Sequence, residues 1–278
     1  MQTEKYTLPF CCPKCGGELV SDGRVAKCTL GHSFDKSKYG YYNFLLGSAG
    51  GIHGDNREMI LARRAFLSSG YYSPLSEKMS AYALEYTRPS GLLVDVGCGE
   101  GYYTEAHERA LASRDNLTRV AAFDISKEAL RVASRRGGGI SYAVASAYHT
   151  PFSDGSVSTV TNAFSPFARE EILRILEPHG FFIMAIPEME HLFELKELLY
   201  KTPYKNEVKD PHIDGFKLVC DERLKYKMKL SCAEDVMALF KMTPYAYRTP
   251  KEAEERILTL QSLECTADFH TFVYRKDT

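Results

Sequence analysis

The sequence predicts an α/β protein: a mainly parallel sheet with helices on both faces and a small loop-rich module at the N-terminus. Three observations lead there. Short apolar runs alternate with helical stretches from Gly91 to Ile186, which is the rhythm of a sheet built by crossovers. A glycine-rich turn, Gly97-Cys98-Gly99-Glu100-Gly101, follows the first of those runs. Four of the eight cysteines and five glycines fall within the first 46 residues, which carry no long helical pattern.

The elements follow in order. Residues 1–46 are too poor in apolar side chains to hold a core unaided and need a staple. Residues 47–54 are glycine-rich and read as a linker. Residues 55–86 read as two helices, with Asp55 or Asn56 as the first cap and a break at Ser68-Ser69-Gly70. The domain division is therefore 1–46 for the module, 47–86 for linker and helical connector, and 87–278 for the α/β domain. In that domain strands are expected at 92–96, 120–124, 140–145, 157–163 and 180–186, with helices at about 103–112, 126–136 and 170–176. Beyond Pro187 the reading is a helix at 191–200, an extended run at 216–230, a helix at 233–240 and a last strand at 268–275. The strands should form a parallel sheet with right-handed crossovers.

Composition narrows the function. With 44% hydrophobic and 26% charged residues the 278-residue chain is ordinary globular material, which argues against disorder, collagen or coiled coil. No apolar run approaches the roughly 18 residues that span a bilayer. The first residues lack the apolar core of a secretory signal, so the expected setting is a reducing cytoplasm with thiols free or metal-bound. Lys plus Arg number 35 against 36 Asp plus Glu, so any surface for a polyanion must be local.

Cys12, Cys15, Cys28 and His32 have the spacing C-x2-C-x12-C-x3-H. Two ligand pairs on separate turns can close a tetrahedron, and three thiolates with an imidazole suit one structural Zn²⁺. Four protein ligands leave no open position for catalysis. Cys11 fits the spacing worse and is left out. Metal binding should supply the module's folding energy.

The strand at 92–96 running into the glycine turn is a nucleotide-type cofactor site. A dinucleotide fingerprint would need a third glycine where Tyr102 stands. Asp95 and Glu100 flank the turn and would repel a pyrophosphate, but they suit S-adenosylmethionine, which carries a sulfonium and an ammonium. Asp95 is expected at the methionine end, Gly97 and Gly99 let backbone approach the cofactor, Asp124 is placed to bind the ribose hydroxyls, and Ser146-Ala147 falls where the adenine edge would lie. The segment 162–167, Asn-Ala-Phe-Ser-Pro-Phe, should face the methyl donor. The fold expected is thus a Rossmann-like class I S-adenosylmethionine-dependent methyltransferase domain with an N-terminal zinc-binding module.

Both sites in this order resemble the bacterial 23S ribosomal RNA (guanine-N1)-methyltransferase family. The resemblance rests on Cys12-Pro13-Lys14-Cys15, on Cys28 to Asp35, on residues 40–46 and 62–67, on Asp95 to Thr104, on residues 151–154, and on His191-Leu192 and residues 242–245. Residues 162–167 depart from enterobacterial members. The resemblance implies zinc at the same four ligands, cofactor contacts from Tyr72, Gly99, Glu100 and His191, a hairpin loop of 23S ribosomal RNA as substrate, a homodimer, and in one branch resistance to macrolide-type antibiotics. For the RNA backbone the candidate cations are Arg63 and Arg64 and the alternating Arg223, Lys225, Lys227 and Lys229, whose bland reading is a lysine-protected edge strand. Glu188, Glu190 and His149 are the only candidate bases for guanine N1, and none is assigned. Two rival readings stand beside this one: a small-molecule methyltransferase with a structural zinc module, and a non-catalytic zinc-dependent RNA-binding or resistance factor.

Overall fold

The computed structural model describes residues 5–46, 54–207, 210–247 and 249–278. Most of the expected 47–54 linker lies outside the described residues.

Five short strands open the chain: β1 (Tyr6–Cys11), β2 (Glu18–Ser21), β3 (Val25–Lys27), β4 (Ser33–Asp35) and β5 (Tyr41–Asn43). β1 to β4 form an antiparallel sheet in sequence order. β5 leaves it and pairs in parallel with β8 (Ile140–Val144) at an edge of the large sheet. The module boundary expected at residue 46 thus falls just after a strand that the two parts share. Two helices follow, α1 (Arg57–Ser68) and α2 (Ser73–Tyr86). Of the two caps expected, Asn56 serves α1, accepting from the Met59 amide at 2.9 Å.

The remaining elements are β6 (Leu92–Val96), α3 (Tyr102–Ala112), β7 (Arg119–Asp124), α4 (Lys127–Ala133), β8, β9 (Val157–Ala163), α5 (Arg169–Ile175), β10 (Leu176–Pro187), α6 (Phe193–Leu199), β11 (Phe216–Leu230), α7 (Ala233–Met242), a 3₁₀ turn (Pro244–Tyr247), α8 (Lys251–Leu258) and β12 (Leu263–Lys276). The sheet order is β11-β12-β10-β9-β6-β7-β8-β5. Six strands from β10 to β5 are parallel, as expected. β12 is antiparallel to both β10 and β11, so the sheet is mixed. The reason is connectivity: β12 enters after α8 rather than through a crossover of the repeating type, and its direction is invisible to hydropathy. The helix at 251–258 was not expected from the sequence, since only Ala253 and Ile257 of its eight residues are buried.

Chain order reverses between β6 and β9, because β6 continues to β7 on one side while β9 lies on the other. Such a switch point opens a crevice at the carboxyl ends of its strands. The core is continuous into the module: Phe10 meets Phe44 and Phe152 at 5.4 Å between ring centroids, and Phe152 meets Phe123 of β7. The Cys11 amide donates to the Pro151 carbonyl at 2.8 Å. The module is therefore fastened to the large domain by backbone pairing and by aromatic packing.

Candidate active site and metal centre

The metal centre forms where two turns meet. Cys12 and Cys15 lie on the turn after β1, and Cys28 and His32 on the turn between β3 and β4. Their ligand atoms all fall within 4.8 Å of one another. The Nδ1 of His32 is 3.5 Å from Cys12 Sγ and 3.4 Å from Cys28 Sγ, and Cys15 Sγ is 3.7 Å from Cys28 Sγ. A zinc–sulfur bond of about 2.3 Å gives tetrahedron edges of about 3.8 Å, so the four atoms already stand at the vertices a zinc ion requires. Desolvation pushes the Cys28 thiol up, but the amides of His32 and Leu30 and the Cys15 thiol outweigh it and hold it at about 7, which favours the thiolate ligand. Cys11 belongs to β1 and is outside this set.

The cofactor turn sits at the switch point. Gly97, Gly99 and Gly101 all have positive φ, which an L side chain rarely adopts. The three glycines meet different neighbours. A Cβ on Gly97 would lie 2.3 Å from the Ser165 Cβ, and one on Gly101 would lie 3.0 Å from the Ala133 Cβ. A Cβ on Gly99 would meet only the Arg63 guanidinium, at 3.6 Å, so this glycine faces open space. Gly97 thus serves closure between β6 and β9, while Gly99 leaves backbone open to a ligand.

Asp95, at the end of β6, is 2% exposed. Thr104 donates to one carboxylate oxygen at 2.5 Å and Thr161 to the other at 3.0 Å. Burial pushes its pKa up to about 6, against the two hydroxyls and with some help from Asp124. Asp95 ties the turn to α3 and β9 through these two hydroxyls. Glu100 is 1% exposed, and Arg136 binds its Oε2 from two nitrogens at 2.5 and 2.8 Å. Burial pushes this carboxyl up and Arg136 restrains it. Both carboxylates expected to flank the turn are thus beside it, Glu100 paired with Arg136 and Asp95 buried between two threonines. Asp124 stands at the tip of β7, accepting from the Gly99 amide at 2.9 Å and the Ser126 amide at 2.7 Å. Ser146 caps a turn by accepting from the Tyr148 amide at 3.2 Å, with Ala147 packed against the core below.

Tyr72 and His191, which are 119 residues apart, meet at 3.2 Å between Oη and Nε2. The Asp268 amide donates to His191 Nδ1 at 3.3 Å, which leaves the ring proton on Nε2. Nε2 then donates to the Tyr72 oxygen, and the Tyr72 hydroxyl keeps its own proton to donate. Burial drives His191 down to about 3, so the ring is neutral. Phe269 packs against both rings, at 4.9 Å from Tyr72 and 4.7 Å from His191. Phe164 caps this wall at 5.6 Å from Phe269 and 6.5 Å from Tyr72. It is 42% exposed and held at a φ of 61°, a strained value for a non-glycine residue. The turn at 162–167 holds that geometry: Asn162 accepts from the Ser165 amide and donates to the Pro166 carbonyl, and Ser165 donates to the Val96 carbonyl at 2.7 Å.

Three buried polar atoms around the turn have no hydrogen-bond partner among the described residues: Glu100 Oε1, Tyr103 Oη and Tyr142 Oη. Together with the open face of Gly99 and the Asp124 carboxylate they make a polar cradle, as a nucleoside-type cofactor with hydroxyl and amino groups needs. A cavity of about 760 Å³ between α1, α7 and α8 includes no residue of this turn.

A methyltransferase-domain family model matches residues 94–184, and a zinc-ribbon model described as the N-terminal part of RlmA matches residues 10–46. A 23S rRNA (guanine(748)-N(1))-methyltransferase from Streptomyces fradiae is 32% identical over 267 residues, with 91% of each chain covered. The chain belongs to the 23S rRNA (guanine-N1)-methyltransferase family. A protein of Micromonospora griseorubida provisionally named for the same reaction is 32% identical over 273 residues, with 90% of each chain covered. One from Bacillus subtilis is 29% identical over 96% of this chain and 97% of its own. With a methyltransferase domain and a zinc ribbon, the chain uses S-adenosylmethionine as cofactor and holds one structural zinc in the ribbon.

The cations expected to meet RNA fare differently. Arg63 on α1 points at the cofactor turn, bound to Asp55 and to the Met242 carbonyl. Arg64 is exposed on the same helix. On β11, Arg223 is held by Asp268 at 2.7 and 2.8 Å, Lys225 by Glu190, and Lys227 by Glu194. Lys229 completes the row without an acidic partner among the described residues. The row is a ladder of internal pairs along an edge strand rather than a bare basic stripe. Two of the three candidate bases are engaged by neighbours. Glu188 accepts from the Met189 amide and contacts His270, Lys225 and Lys205 hold Glu190 at about 2, and His149 is an exposed turn residue after β8. Sequence reasoning gave no role to Thr104, nor to Thr161, Arg136, Asp268 and Phe269, and each of the last four acts through a partner far along the chain.

Proposed function

We propose that this protein transfers a methyl group from S-adenosylmethionine to N1 of a guanine in a hairpin loop of 23S ribosomal RNA. The observation that carries the reading is the exposed, strained Phe164 beside the Tyr72–His191 pair, opening directly from the cofactor turn: a flat aromatic face next to a polar cradle suits a base extracted from its stack.

The cofactor supplies an electrophilic methyl on a sulfonium. Gly99, Asp124, Tyr72 and His191 are the residues we assign to holding it, with Glu100 and the Ser146-Ala147 turn beside them. Guanine N1 carries a proton at neutral pH, which must pass to water as the nitrogen takes the methyl; Glu188 is engaged by the Met189 amide and His270, Glu190 by Lys205 and Lys225, and no general base is assigned. Catalysis by this chain then rests on orientation, which can be worth about 7–11 kcal/mol. Phe164 fixes the plane of the base, and the wall of Tyr72, His191 and Phe269 excludes water. The zinc ribbon, fastened through Pro151 and β5, presents the RNA.

The division into ribbon (1–46), connector (47–86) and catalytic domain (87–278), a cytoplasmic setting, a homodimeric assembly and an effect on macrolide-type resistance belong to the same proposal. It is supported by the family membership and by thiolate ligands that need a reducing compartment. Tritiated methyl transfer tests the central claim, with undermethylated ribosomal RNA set against a metabolite panel and primer extension locating the modified base. Label in the RNA with a stop at one loop guanine is expected. Label confined to metabolites would overturn it, and sedimentation tests the dimer.

A further inference from the structure

Where the ribbon meets α4, the turn between β4 and β5 presents Tyr39. The Ser37 amide donates to the Tyr41 carbonyl and the Gly40 amide to the Ser37 carbonyl, so the turn is rigid. Gly40 has a φ of 108°, and a Cβ there would already touch Ser134 of α4 at 3.6 Å. Three cations surround the Tyr39 ring: the Lys38 Nζ at 5.2 Å from its centroid, the Arg131 guanidinium at 5.2 Å and the Arg135 guanidinium at 5.6 Å. All three side chains are exposed. Arg131 also pairs with Glu128 at 2.5 Å. Among the described residues, Lys38 and Arg135 have no acidic partner.

The contrast with β11 is the argument. There each of three cations is held by a carboxylate that cancels its charge. At Tyr39 Lys38 and Arg135 are held by the negative face of a ring, which orders them without neutralising them, while Arg131 is held by both the ring and Glu128. The result is an organised local excess of positive charge on a chain whose net charge is −1. Next along the chain, Arg136 binds Glu100 of the cofactor turn, so this surface adjoins the cradle.

We propose that Lys38, Arg131 and Arg135, gathered on Tyr39, form the phosphate-binding surface that seats the RNA backbone across the seam between ribbon and catalytic domain. This rests on the RNA-methylating reading above and names where the RNA is gripped. Ordered cations at a seam fit the backbone of a loop, whose phosphates bind by counterion release and without regard to sequence.

The test uses the full-length zinc-loaded protein and a synthetic 23S hairpin. Binding is measured between 50 and 200 mM salt for the wild type, for Lys38→Ala with Arg135→Ala, and for a control, Lys225→Gln with Glu190→Gln, that removes one β11 pair at constant charge. Two lost phosphate contacts lower the salt slope by about 1.4–1.8, so across that range the wild type should lose about tenfold more affinity than the double variant. The RNA KM should rise in the double variant, with cofactor affinity and zinc content unchanged, and the control should follow the wild type. An unchanged slope in the double variant, or an equal loss in the control, would overturn the proposed surface while methylation by the wild type still stood. A wild type that neither binds nor methylates the hairpin would overturn the functional reading itself.

Discussion

Gly97 is the most demanding position in the site. Replacing it with alanine places a Cβ 2.3 Å from the Ser165 Cβ while the backbone must keep a φ of +66°. The left-handed conformation costs an L residue about 1–2 kcal/mol, and overpacking at this contact adds about 1–3 kcal/mol. Gly97→Ala should therefore destabilise by about 2–5 kcal/mol. It should also displace the turn that carries Phe164, lowering cofactor affinity and raising the KM for RNA. Ser165→Gly alone gives up the hydrogen bond to Val96 and some chain entropy, about 1–2 kcal/mol together. In the double variant the overlap disappears and only the backbone strain and the lost bond remain. The double-mutant cycle, read by urea denaturation followed by circular dichroism, should show a coupling of about 1–3 kcal/mol, with the pair less damaging than the sum. Additivity within about 0.5 kcal/mol would refute the reasoning that Gly97 is required for closure against β9.

Arg136→Met strands the buried Glu100 carboxylate and should cost about 3–5 kcal/mol in denaturant; a loss below 1 kcal/mol would mean water reaches Glu100. Asp95 titrates near 6 in the fold against 3.8 in the unfolded chain, so its stabilising contribution is complete below pH 3.8 and disappears as pH rises through 6. Asp95→Asn should therefore flatten stability between pH 4 and 6 relative to wild type by about 3 kcal/mol, and identical pH profiles would count against it. Chelating the zinc should unfold the ribbon and loosen β5, read by tyrosine emission because the chain has no tryptophan; a ribbon that keeps its signal without metal would show that Phe10, Phe44 and Phe152 suffice. Tyr72→Phe removes the hydroxyl proton that His191 leaves free. Calorimetry should show cofactor binding weakened by about 1–2 kcal/mol, alongside a stability loss of about 1–3 kcal/mol because His191 Nε2–H loses its acceptor, and equal affinity would mean that proton meets nothing.

The legible parts of the chain were those whose cause is local. The boundaries of β6, β9 and β11 match their apolar patterns, Asn56 announces α1, and the zinc ligands are set by spacing along two turns. The site was legible only in part. Asp95 and Glu100 were legible as carboxylates beside the turn, but nothing near them in sequence declares their partners Thr161 and Arg136. The basic run of β11 read equally as an RNA surface or a lysine-protected edge strand, because Asp268, Glu190 and Glu194 lie elsewhere in the chain. Tyr72 and His191 came only from resemblance, since a tyrosine and a histidine 119 residues apart carry no shared pattern.

By itself the amino-acid order determined which residues can hold zinc, where β6, β9 and β11 run, and that a three-glycine turn follows the first crossover strand. Tertiary structure alone decided which charges survive, which way β12 runs, and that Tyr39 rather than β11 gathers cations without cancelling them. Short-range geometry is written in neighbouring residues. Charge balance and strand direction depend on partners brought together across the whole chain, and those contacts exist only once it has folded.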